Sequence, residues 1–99
     1  MAKVETLIGF AVKARKVIFG ADRIEGNKSA RLIICCHTLS ERSLKNMLNM
    51  QTGKLKIIIS KQPLEDIVFK TNCKAIAISD AQFAKAILDN LSNNFIVQE

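Results

Sequence analysis

Leu32-Ile33-Ile34-Cys35-Cys36 is an unbroken apolar run with no polar residue at alternate positions. A strand of that kind has no face to turn towards water, so it belongs inside a sheet that is covered on both sides. Leu55-Lys56-Ile57-Ile58-Ile59 and Ala75-Ile76-Ala77-Ile78 also have strand length. Val17-Ile18-Phe19, stopped by Gly20, suits a small strand, and Phe95-Ile96-Val97 adds a last edge strand.

The segments between these runs carry a helical period. Val4, Leu7, Ile8, Ala11 and Val12 recur at three and four, which predicts a helix from Val4 to Ala14 with one buried side. Thr38 or Ser40 is placed to cap a helix carrying Leu44, Met47 and Leu48, and Gly53 to end it. Pro63 suits the first turn of a short helix reaching Phe69, because no proton is left unpaired on its nitrogen there. Ser79 or Asp80 caps a further helix through Phe83, Ala84, Ile87, Leu88 and Leu91. A short helix between Asp22 and Lys28 is interrupted by Gly26. Helices alternating with strands predict an α/β fold, a three-layer α/β/α sandwich with a mixed, largely parallel sheet of four or five strands. Over 99 residues it forms one domain, with Leu7, Ile8, Ile33, Ile58, Ile76, Phe83 and Ile87 expected in a single core.

No apolar run approaches the roughly 18 to 20 residues of a bilayer span, and the first residues lack the apolar stretch of a signal peptide. A cytoplasmic location without membrane contact is expected. Cys35, Cys36 and Cys73 are odd in number and lack CxxC spacing, so they are read as reduced, inert core residues holding no metal. Fifteen Lys and Arg against nine Asp and Glu leave a net charge of +6, which favours a polyanionic partner through counterion release.

Three stretches carry a family likeness. Leu7-Ile8-Gly9-Phe10-Ala11-Val12-Lys13-Ala14-Arg15-Lys16-Val17-Ile18-Phe19-Gly20 closely resembles the opening of the bacterial YlxQ-like proteins, which read LxGxAxKAGKxxxG. These belong with the large-subunit ribosomal proteins L-seven-A-e and L-thirty-e. Ala30-Arg31-Leu32-Ile33-Ile34 followed by Ser40 is similar to that family's second strand and the start of its third helix. Ala77-Ile78-Ser79-Asp80-Ala81-Gln82-Phe83-Ala84-Lys85-Ala86-Ile87 is similar to its fourth strand and last helix, usually AITDxGFAKAI. The resemblance implies non-enzymatic binding of structured RNA, most often a kink-turn, in a ribosomal or other ribonucleoprotein setting, with no cofactor and no DNA partner. Ribosomal RNA, and ribosomal or other ribonucleoprotein proteins, are among the partners the resemblance allows. In the family a G-x-N-E motif and a following Lys meet guanine edges and phosphates, while a loop before the fourth strand encloses an extruded base. Carried over, these fall on Gly20, Ala21, Asp22, Arg23 and Lys28, and on Lys70, Thr71, Asn72, Cys73 and Lys74.

The match is incomplete. Asp22 replaces an amide with a group that only accepts hydrogen bonds, and Arg23 replaces an acceptor with a donor suited to guanine O6 and N7. Between Gly20 and Ala30 the chain is about three residues shorter than its relatives, close to one turn at ~3.6 residues per turn. Arg15 stands where the family usually has Gly, His37-Thr38 where Glu-Asp is frequent, and Glu65 where a Gly commonly follows the leucine. These changes bring in a rival, a protein-interaction module on the same fold that has lost kink-turn recognition. A Cys36-His37 nucleophile is the enzymatic alternative. It is opposed by strand geometry, since neighbouring strand residues point to opposite faces unless the strand ends there. A zinc site from Cys35, Cys36, His37 and Cys73 is opposed because adjacent residues rarely chelate one ion.

Overall fold

A computed structural model of the chain describes residues 3–20, 23–24, 29–49, 55–68, 73–91 and 93–98. In chain order these hold α1 (Val4–Lys13), β1 (Val17–Phe19), β2 (Leu32–Cys36), α2 (Glu41–Asn49), β3 (Lys56–Ser60), α3 (Leu64–Val68), β4 (Ala75–Ile78), α4 (Ala81–Asp89) and β5 (Phe95–Gln98). Arg23 and Ile24 are helical as well. The strands form one five-stranded sheet in the order β1-β4-β2-β3-β5. Only β2 and β3 run parallel; β1 with β4, β4 with β2 and β3 with β5 are antiparallel. The sheet is therefore mixed but not largely parallel. Helices follow strands throughout, but β4 enters between β1 and β2 in the opposite direction, which strand patterning does not encode.

Alternation along the strands divides the buried residues into two cores. Leu32, Ile34, Cys36, Ile58, Ile76 and Ile78 point to one face, where Val4, Ile8 and Ala11 of α1, Leu64, Ile67 and Val68 of α3, and Ala84 and Ile87 of α4 cover them. Ile33, Cys35, Ile57, Ala75 and Ala77 point to the other, where Met47 of α2 and Ile24 are fully buried. Ile33 is thus separated by the sheet from Ile8, Ile58, Ile76 and Ile87, because successive strand residues face opposite ways. Leu7 and Phe83 are only partly buried against the first core. The expected single core is two, and the three-layer sandwich is its geometric consequence.

The helix ends are made by identifiable groups. Asp80 Oδ1 accepts from the backbone N–H of Gln82 at 2.8 Å and of Phe83 at 3.1 Å, so Asp80 caps α4. Ser79 serves elsewhere. Ser40, not Thr38, caps α2, its Oγ accepting from Ser43 N–H at 3.3 Å. Pro63 immediately precedes α3, and its carbonyl accepts from Asp66 N–H at 3.2 Å. Gly53 and Phe69, expected at two helix ends, lie outside the described residues.

α1 closes in a Schellman motif. Lys16 N–H donates to Ala11 O at 2.9 Å and Arg15 N–H to Val12 O at 3.1 Å, the paired bonds that satisfy the last carbonyls of a helix. Such a motif needs one residue in the left-handed region, and Arg15 occupies it with φ 60°. This explains physically why glycine is usual there: a Cβ in that conformation costs roughly 1–2 kcal/mol. Arg15→Gly is expected to raise unfolding stability by about 1 kcal/mol in urea titration, whereas Ile76→Ala, at the centre of the first core, should cost about 2–5 kcal/mol. A neutral or destabilising Arg15→Gly would contradict the strain.

Candidate nucleic-acid interface

β1 ends where Gly20 turns the chain with φ 92°, a conformation that side chains rarely adopt. Gly20 N–H donates to Ala75 O at 3.0 Å, which extends the β1–β4 ladder, and its carbonyl accepts from Ile24 N–H at 3.1 Å, which opens a helical turn. Ile24 is fully buried in the second core, so this turn is pinned while Arg23 beside it stays exposed. The Gly20 N–H is committed to the sheet and is not the phosphate donor that a glycine before a helix suggests. What Gly20 contributes is shape, since nothing lies within 4 Å of the space a Cβ would fill.

The second candidate segment arrives at the same place. Lys74 precedes β4, and its carbonyl accepts from Cys36 N–H at 2.7 Å. Gly20, Arg23 and Lys74 are therefore gathered at the end of the sheet where β1 and β2 finish and β4 begins. Ala21, Asp22, Lys28, Lys70, Thr71 and Asn72 lie outside the described residues. Cys73, within the carried-over loop, is buried in the first core rather than offered to a ligand.

Lys74 is not a free cation. Its Nζ lies 3.3 Å from Glu65 Oε1, the ion pair found among the described residues, with both side chains partly exposed. Sequence reasoning marked Glu65 as a departure without seeing its partner, nine residues apart across α3 and the start of β4. No periodicity connects the two positions, so nothing in the sequence signals the pair.

The cysteines are free and buried. Burial, with the neighbouring Cys36, pushes the Cys35 thiol up to about 12, which keeps it protonated and inert. Cys36 differs. Burial pushes its thiol up too, but the Thr38 hydroxyl at 3.1 Å, backbone groups of Thr38 and Leu64, and the charge of Lys74 together hold it below the ordinary value. β2 ends at this residue, and His37 Nδ1 comes within 3.8 Å of the sulfur. The alternation that opposed a Cys36-His37 contact has stopped there. Among the described residues no group of three or more His, Cys, Asp and Glu side chains is arranged to share a metal ion. Likewise no described helix is long and apolar enough to cross a membrane.

No protein-family model and no curated protein matches the chain. Among solved structures it is similar to a protein with unknown function from Bacillus halodurans C. The TM-score is 0.74 and the identity 22%, over 90% of this chain and 96% of that one. At this identity the likeness bears on the fold, and it supports the α/β/α arrangement across nearly the whole chain.

Two outcomes follow from the chemistry of this end of the sheet. In the native protein at pH 8, iodoacetamide is expected to label Cys36 ahead of Cys35, read by peptide mass spectrometry; equal labelling would refute the contrast between the two thiols. Glu65→Gln should change stability by no more than about 1 kcal/mol, because a partly exposed pair is screened by solvent.

Proposed function

We propose that the chain binds structured RNA, a kink-turn or related bent internal loop, without catalysing a reaction on it. The observation that carries this reading is the Gly20 N–H to Ala75 O bond. It sets Gly20 beside the start of β4, so the described members of the two segments implied by the family resemblance, Gly20, Arg23 and Lys74, lie at one end of the sheet. Arg23 is exposed on that surface and is our choice for the base-reading side chain, since a guanidinium meets guanine O6 and N7 in two hydrogen bonds. RNA of this kind is read by shape and unpaired bases, which suits a sheet end carrying a few polar groups. The setting is a cytoplasmic ribosomal or other ribonucleoprotein particle.

The rival reading, protein docking on the same fold, is favoured by the Lys74–Glu65 pair, which neutralises one candidate phosphate contact. The edge strand β5 adds to it, with Ile96 and Val97 exposed.

Binding of a kink-turn hairpin and of an uninterrupted duplex of equal length, followed by fluorescence anisotropy, separates the two. The parent protein should prefer the kink-turn, and Arg23→Ala should lose about 5- to 150-fold of that preference. Asp22→Asn restores an amide donor and removes a charge that phosphate repels, so it should bind more tightly than the parent, as should Glu65→Gln by releasing Lys74. If neither the parent nor Asp22→Asn distinguishes the two RNAs, the bent-loop reading falls and protein docking takes its place.

A further inference from the structure

Charged groups are used differently at the two ends of the sheet. At the end with Gly20 and Lys74, Glu65 holds Lys74 and Glu5 accepts from Gln62 Nε2 at 2.7 Å, while Arg23 is exposed. At the opposite end α1 finishes, β1 and β2 begin and β4 finishes. There the carbonyl of Lys16 accepts from both Ser79 N–H at 2.9 Å and Ser79 Oγ–H at 3.1 Å, while Arg31 N–H donates to Ile78 O at 2.7 Å. Lys16 and Arg31 thus flank the last residues of β4 from either side, roughly two strand spacings or ~10 Å apart. Lys13, Arg15, Lys16 and Arg31 are all exposed, and none forms an ion pair among the described residues. Asp80, the acid described at this end, has Oδ1 occupied in capping α4.

Lys13 is accounted for by the negative end of the α1 dipole, whose influence fades within the last turn. Arg15, Lys16 and Arg31 lie beyond it. Arg15 is also held in a left-handed conformation that glycine would adopt without strain, and strain of this kind clusters at functional sites. Phe10 completes the surface. It is 50% exposed and sits three residues before Lys13, so the two side chains are neighbours on one side of α1. Exposed cations beside an exposed aromatic ring are the combination that grips a single strand, phosphates on the charges and a base on the ring.

We propose that Phe10, Lys13, Arg15, Lys16 and Arg31 form a second RNA-binding surface that takes an unpaired strand, separate from the Gly20–Lys74 end. The inference rests on the RNA reading above but not on the bent loop. Each substitution that tests it spares the fold. Lys16 and Arg31 make their structural hydrogen bonds through the backbone, Phe10 is not in either core, and Arg15→Gly relieves strain.

The probe is a single-stranded oligouridylate of about 12 nucleotides, within the usual span of single-strand grooves. The parent should bind it with an affinity that falls as salt rises. Arg15→Gly with Lys16→Ala and Arg31→Ala should flatten the log–log slope by about 2, at ~0.7 for each lost phosphate contact. Phe10→Ala should weaken binding about 5- to 150-fold with the slope unchanged. Arg23→Ala should leave the oligouridylate alone. A control neutralising Arg42, Lys45 and Lys61, exposed elsewhere, should have a smaller effect. No binding by the parent, or equal losses in the control and the triple variant, overturns the proposal while the kink-turn preference stands or falls on its own. Oligouridylate binding lost in the triple variant, in a protein that does not prefer a kink-turn, sustains this surface and removes the bent-loop reading.

Discussion

β2 lies in the middle of the sheet, and all of its residues are buried. Its backbone is satisfied by antiparallel β4 on one side and parallel β3 on the other. Its side chains, Leu32, Ile34 and Cys36 towards one layer and Ile33 and Cys35 towards the other, demand apolar cover above and below. Every other element answers that demand. α1, α3 and α4 close one face; α2 and the turn around Ile24 close the second. A single-layer solution would leave half of the strand in water, at roughly 25 cal/mol for each Å² of apolar surface exposed.

Because the strands are short, each end of the sheet is a small platform on which several turns meet. At one end the Gly20 turn, the residues before β4 and the end of β2 are tied together by backbone hydrogen bonds from Gly20 to Ala75 and from Cys36 to Lys74. Cys36, His37 and Thr38 belong to this platform, where the sulfur lies near a hydroxyl, an imidazole and the Lys74 charge. At the other end the bonds from Ser79 to Lys16 and from Arg31 to Ile78 do the same work. The described residues of both platforms are tied down in the same way: their hydrogen bonds continue the ladders of the sheet. They differ in charge, which is a surface property that the core does not constrain.

Arg15 and Glu65 show how two departures from the resembled family act through different physics. Arg15 fits the Schellman closure of α1 and carries its cost as left-handed strain. Glu65 costs the backbone nothing and acts on a neighbour, drawing Lys74 into an ion pair. Arg15 is an exposed charge at the α1 terminus, and Glu65 neutralises one at the Gly20 end.

Much of the fold is legible in the sequence because it is local. The apolar runs at 32–36 and 75–78 and the three-four spacing of Val4, Ile8 and Ala11 appear as strands and a helix with little displacement. Capping by Asp80 and the turn at Gly20 are equally local, since their bonds reach residues two to four positions away. The direction of β4, the division of Ile33 from Ile76 between two cores, the placing of Gly20 against Ala75 and the Lys74–Glu65 pair are not local. By itself the sequence determined which segments are strands and helices, because burial pattern and capping chemistry are written along the chain. Only the tertiary structure decided which strand neighbours which, which face each residue meets and which charges are paired, because those contacts join positions that no spacing along the chain relates.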